Sequence, residues 1–303
     1  MSVMVDGSSS NAASAARTGG HTVANTYLIG AQKAGTTYLA ALLDQRPEVC
    51  VSDPKEPQFF TTHFSDGFET YARCFSDPAA PVRIDASTTY SFLRPRRDIG
   101  QLDAPGLLAP VPQRIAEAAP EARFIYVLRD PVKRAASAHR HNMRMSAPPD
   151  GPQSLLQAFE DNPMLVIASR YADQIERYFE VFPPERFLFL DFRRLTTETA
   201  TVLDEVCDFL GLARGGITLE AASRARHSAY RVTPAGRLLR RGMDLAPGLA
   251  RAAKSMVPSG LKTRLLDPVT KAPSEIAFHD EEAAATVFAE DLARVEALTG
   301  LRI

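Results

Sequence analysis

The stretch Gly30 to Thr37 reads G-A-Q-K-A-G-T-T. A glycine loop between a strand and a helix gathers backbone N–H groups at one point. The helix start adds partial positive charge, so such a loop holds a phosphate. Nucleotide loops of the ATP-dependent kind place their lysine directly after the second glycine. Here Thr36 stands at that position and the cation, Lys33, lies inside the loop. The residues that would serve an anion are thus Lys33, Ala34 and Gly35 with Thr36 and Thr37. The plain alternative is a turn of small residues without a ligand.

Two further clusters carry chemistry. In Y-V-L-R-D-P-V-K-R-A-A-S-A-H, Arg129 ends an apolar run and Ser137 lies eight residues on. An arginine at a strand's C-terminal edge needs an anion, and a phosphate suits its planar fork. Otherwise Arg129 and Asp130 would form only a helix cap. In D-P-K-E-P-Q-F-F, two prolines bracket Lys55 and Glu56 and two phenylalanines follow. That is a rigid mount for Glu56 as a general base, unless the charged pair is a solvated turn. His63 stands close in sequence as a second candidate base, with His139 and His141 behind it.

The elements that must position these residues alternate. Short apolar runs over N-T-Y-L-I-G, P-V-R-I-D-A-S, R-F-I-Y-V-L-R-D-P and R-F-L-F-L-D-F read as strands. Helical spacing follows over 38–43, 113–120, 132–144, 164–183 and 197–211, with a last helix over 281–298. This pattern predicts an α/β fold, with a central parallel sheet flanked by helices. Strands apolar throughout fit burial on both faces. Residues 1–24 are rich in Ser, Ala and Gly and read as a disordered tail, with 25–303 as a single domain. Within it, about 214–277 reads as a basic helical insertion or cap: from Leu212 to Lys271, twelve Lys or Arg stand against three acids.

The ordered set G-x-x-K-x-G-T-T, K-E-P-x-F-F and L-R-D-P-x-x-R-A-x-S resembles the sulfotransferases that use 3′-phosphoadenosine-5′-phosphosulfate (PAPS), in their heparan-type carbohydrate branch and its bacterial homologues. The likeness runs from about Tyr27 to Leu212. It implies a P-loop-like fold, PAPS as donor, adenosine 3′,5′-bisphosphate (PAP) as product, and no metal. It implies further that Lys33 serves the oxygen bridging phosphorus and sulfur, that Arg129 and Ser137 grip the 3′-phosphate, and that Glu56 takes the acceptor proton. Tyr171 matches a tyrosine of the nucleotide or acceptor cleft, and Arg226 is a candidate for the 3′-phosphate from the basic segment, with Arg224 and Arg231. The chain departs from the pattern at Ala34, at Gln58, at Ala86 where heparan-type enzymes carry a lysine nearby, at Thr88 in place of a proline, and at Arg170 in place of a glycine. These departures leave the donor residues in place and alter the acceptor side.

Composition bounds the rest. The formal net charge of −1 gives no sign of a nucleic-acid partner. Three cysteines without metal-ligand spacing point to a reducing compartment. No run of about 20 apolar residues or signal-like segment is present, so the expected location is cytoplasmic. The expected acceptor is a hydroxyl of a carbohydrate, lipid or small natural product, with possible contact between the basic segment and a membrane surface. Nothing in the residues points to an oligomeric state. Two rivals stand beside this reading. A kinase would need a lysine after Gly35 and a metal-binding acid, for which only Asp85 and Asp191 offer. A binding protein without chemistry would not need Glu56.

Overall fold

The computed structural model describes residues 18–92, 110–145, 149–219, 230–234, 271–273 and 276–303. Five parallel strands form the central sheet: β1 (Thr26–Gly30), β2 (Val49–Val51), β3 (Val82–Asp85), β4 (Arg123–Leu128) and β5 (Phe187–Asp191), in the order β2-β3-β1-β4-β5. Tyr27 of β1 lies opposite Asp85 on one side and Phe124 on the other. Every residue of β1 is buried, as are Phe124 to Leu128 of β4, which is why both runs are apolar without alternation.

The order of the strands sets the site. From β1 the chain runs to the edge strand β2, steps back to β3, then crosses β1 to reach β4. Loops leaving β1 and β4 therefore diverge at their C-terminal ends, the switch point where open α/β sheets bind ligands. Helix α1 (Thr36–Leu43) follows β1, and α2 (Pro131–Asn142) follows β4. Pro131 opens α2, where a missing N–H costs nothing, and the Asp130 carboxylate accepts from Lys133 N at 2.8 Å. The capping is therefore done by Asp130, which leaves the Arg129 side chain to other work.

Two helices expected to be continuous are interrupted. The segment 164–183 forms α3 (Met164–Ile167) and α4 (Tyr171–Phe179), with a break at Ala168–Arg170. The break is tertiary in origin. Fully buried Arg134 donates to the Leu165 carbonyl and the Ser169 hydroxyl, both at 2.6 Å. The carboxylate of Asp291 accepts from Tyr171 N and Ala172 N at 2.9 and 3.1 Å, capping α4 from the far end of the chain. Likewise 281–298 divides into Glu281–Ala285, a 3₁₀ turn at Thr286–Phe288, and α5 (Ala289–Thr299), which ends at Gly300 with φ 72°.

The structure also holds short elements the pattern did not announce: strand β2 and the helices Gly67–Ala72 and Leu155–Asp161. Of the basic segment, the described part includes an antiparallel pair, Tyr230–Val232 with Lys271–Pro273, whose first strand lies against α2 and the Met143–Met145 turn. Among the described residues no helix is long and apolar enough to cross a membrane.

Candidate active site

The loop after β1 is shaped by what lies behind it. A Cβ on Gly30 would sit 2.5 Å from Ser91 Oγ and 2.9 Å from the Tyr126 ring, so any side chain there displaces the core. Gly35 has φ 82°, and a Cβ on it would press the Phe192 ring at 3.1 Å. Lys33 also takes a left-handed backbone, φ 70°. Ala34 is buried, and its N–H closes a turn onto the Ala31 carbonyl at 3.0 Å. Thr36 opens α1 and is buried, while Thr37 beside it is half-buried.

Arg129 leaves the end of β4 and locks this loop. Its Nη1 donates to the Lys33 carbonyl at 2.6 Å, and its guanidinium lies 4.6 Å from the Phe192 ring centroid. Loop, arginine and ring pack as one unit. Tyr171 is fully buried and donates to the Arg129 carbonyl at 2.8 Å. Its link to any ligand thus runs through Arg129. With Asp291 behind Tyr171, a hydrogen-bonded line joins α5 to α4, to Arg129 and to the loop. Ser137 is half-buried on α2, two turns beyond Arg129.

Burial pushes the Lys33 ammonium down from the usual lysine range, and the positive charges of Arg129, Arg144 and Arg134 push it the same way. An anion in the loop would reverse that. Binding PAP at about pH 9, below the ordinary lysine value of about 10.4, should therefore draw a proton onto Lys33. Titration calorimetry in two buffers of different ionisation enthalpy should give different heats, and Lys33→Arg should abolish the difference. Equal heats for the unaltered protein at every pH from about 9 to 10.5, through the ordinary lysine range, would show that Lys33 does not face the anion.

The base loop is anchored from below. Phe59 stacks on Tyr71 at 4.4 Å between centroids and meets Phe60 edge-on at 5.0 Å; both phenylalanines are buried. Each such ring contributes on the order of 2 kcal/mol by area. Asp85, fully buried, accepts from the hydroxyls of Tyr71 (2.8 Å) and Tyr90 (2.7 Å) and from Ser87 N (3.0 Å). Burial raises its pKa and the hydrogen bonds oppose that rise. Ser87 in turn accepts from Gln58 N at 2.9 Å.

On this platform Glu56 Oε1 accepts from Lys55 Nζ at 2.9 Å, and Oε2 accepts from Thr88 Oγ1 at 3.2 Å. Lys55 Nζ also reaches Thr36 Oγ1 (3.3 Å) and the Ala86 carbonyl (3.1 Å). The pair is thus no solvated turn; it is tied to the first residue of α1. Asp191, the other acid considered as a metal ligand, caps the following helix through Arg193 N at 2.7 Å. Both strand-end acids are spent on internal hydrogen bonds.

His63 is more than half exposed and pairs with Asp66 at 3.0 Å. His139 packs edge-on against Phe278 at 5.7 Å, and burial lowers its pKa. Arg224 and Arg226 lie outside the described residues. Sequence reasoning passed over Lys55, Thr88, Arg134, Phe192 and Asp291. Three left a trace: Lys55 as the partner of Glu56 between the two prolines, Arg134 as the second arginine of R-D-P-x-x-R, and Thr88 as a departure.

The sulfotransferase domain model matches residues 24–235. Bifunctional heparan sulfate N-deacetylase/N-sulfotransferase 3 of Mus musculus is 30% identical over 223 residues, covering 67% of this chain and 24% of the relative. Heparan sulfate glucosamine 3-O-sulfotransferase 6 of Homo sapiens is 28% identical over 194 residues, 62% of this chain and 52% of that protein. The chain thus spans about a quarter of the first relative's length and about half of the second's. Among solved structures, a sulfotransferase from Alicyclobacillus acidocaldarius shares the fold, with a TM-score of 0.55 and 21% identity over 93% of this chain and 97% of that one. With a family match across some two-thirds of its length, on the segment that carries the glycine loop, Arg129 and Glu56, this chain belongs to the sulfotransferase domain family.

Proposed function

We propose that the protein moves a sulfuryl group from PAPS to a hydroxyl of a carbohydrate, lipid or small natural product. One observation carries this reading: the cations Lys33 and Arg129 meet at the glycine loop, and Glu56 is tied through Lys55 to Thr36 at the head of the same loop's helix. The residues present fit such a donor. The charged neighbours that act on Lys33 are all positive, and the loop backbone is held open by Arg129. When bound, PAPS supplies an activated sulfuryl group with a phosphate as leaving group.

The chain's own residues would do the rest. Loop N–H groups and Lys33 hold the 5′ end and stabilise charge growing on the leaving oxygen. Arg129 and Ser137 hold the 3′-phosphate. Glu56 accepts the acceptor's proton, and the phenylalanine platform keeps it aligned. The relatives' names support a carbohydrate acceptor, while Ala86 and Thr88 differ from the heparan-type pattern on the acceptor side. The basic segment 214–277 would serve as an insertion or cap within a single domain.

Incubation of PAPS with a panel of hydroxyl and amine acceptors, read by mass spectrometry as sulfate addition, tests the reaction. The donor is tested without an acceptor. PAP should raise the melting temperature by mass action, by RT ln(1 + [L]/Kd) in free energy, and ATP with magnesium should do much less. Equal stabilisation by ATP would favour a kinase.

A further inference from the structure

Lys55 stands in an unusual place for a lysine so near the surface. Its ammonium touches the donor side of the site through Thr36 Oγ1 at 3.3 Å and the acceptor side through Glu56 Oε1 at 2.9 Å. The Ala86 carbonyl, at 3.1 Å, fixes it from below. Its backbone is fixed as well, because the Lys55 carbonyl accepts from Ser52 Oγ (3.0 Å) and Ala86 N (3.2 Å). The side chain keeps about a fifth of its surface open. A group lying between the start of α1 and the Glu56 carboxylate therefore meets this ammonium from the side.

We propose that Lys55 is a catalytic residue whose ammonium holds the non-bridging oxygens of the sulfuryl group in flight. The assignment rests on Glu56 facing the acceptor and the glycine loop facing the donor. In-line transfer makes a bond from the acceptor oxygen to sulfur as the bond from sulfur to the phosphate oxygen breaks. The electron pair leaves on that phosphate oxygen, and the acceptor's proton passes to Glu56. Sulfur must then travel along the line from the loop to Glu56, and its three outer oxygens point sideways from that line. Lys55 is the side cation on the path. Its three N–H donors are taken by Thr36, Glu56 and Ala86, so it reaches the sulfuryl oxygens by giving up the longest of these bonds, that to the Thr36 hydroxyl. It also offsets the Glu56 charge, which would otherwise repel an anionic donor. Ala86, where heparan-type relatives are expected to carry a lysine nearby, offers no charge of its own, and the Lys55 ammonium lies against its carbonyl.

PAP lacks the sulfuryl group, which makes the proposal separable from a structural role. Lys55→Met should leave PAP affinity within about threefold. In a Glu56→Gln background that slows turnover, it should weaken PAPS binding by roughly tenfold or more, the range of a hydrogen bond to a charged group. Hydrolysis of PAPS to PAP and sulfate, with water as acceptor, should fall by about a hundredfold in single turnover. Lys55→Arg should recover part of both. Equal losses of PAP and PAPS affinity would overturn the proposal and leave Lys55 as a tether of the loop. Hydrolysis within about threefold of the unaltered protein would overturn it too. The Glu56 reading fails separately: normal hydrolysis by Glu56→Gln with a defective Lys55→Met removes the base and keeps the cation.

Discussion

Glu56→Gln is expected to lower turnover by on the order of 10²–10⁴ while PAP binds as before. The structure explains why the variant should keep its shape. One Glu56 oxygen accepts from Lys55 and the other from Thr88. A glutamine can keep its oxygen on the ammonium and turn its NH₂ group to the Thr88 hydroxyl, which also accepts. Packing, platform and loop contacts survive, and only the proton-accepting oxygen is lost. Rapid-quench turnover with any acceptor found in the screen, set beside PAP calorimetry, measures both quantities. Normal turnover would move the base away from Glu56, with His63 next in line despite its exposure and its Asp66 partner.

Arg129→Ala should act on the other quantity. Two losses would coincide: the charge proposed to hold the 3′-phosphate, and the donor that holds the Lys33 carbonyl at 2.6 Å. Removing one partner of a desolvated charge pair costs about 2–5 kcal/mol, or roughly 30- to 4,000-fold in PAP affinity. Arg129→Lys should recover only part, because an ammonium cannot grip the loop carbonyl and a phosphate with one planar fork. Tyr171→Phe, which frees the Arg129 carbonyl but keeps its side chain, should fall well short of the alanine. PAP affinity within about threefold for Arg129→Ala would reduce that residue to a strap on the loop.

The contrast between what the residues announced and what they concealed has a physical cause. Strands β1 and β4 are buried on both faces, so their apolar runs are unbroken and legible. Strand β2 has three residues, too few for any pattern, and forms because its edge position beside β3 supplies the pairing. The break in 164–183 is invisible locally, since Leu165 and Ser169 are engaged by Arg134 and the next turn is capped by Asp291. In the site, Lys33, Arg129 and Glu56 stand out because residue type and element end coincide. Lys55 reads as a surface charge because its acceptors, Thr36 and Ala86, lie 19 and 31 residues away.

The cap that Asp291 places on α4 has a practical meaning. Asp291 stands well past residue 235, where the family match ends. It is buried, and its pKa is pushed up to about 6 by that burial, against the pull of the two N–H groups it holds. Protein engineering that trims or fuses this chain near its last helix is therefore work on the proposed donor site at one remove. Cutting at the family boundary would remove the cap of α4 and loosen the Tyr171 hydroxyl that holds the Arg129 carbonyl.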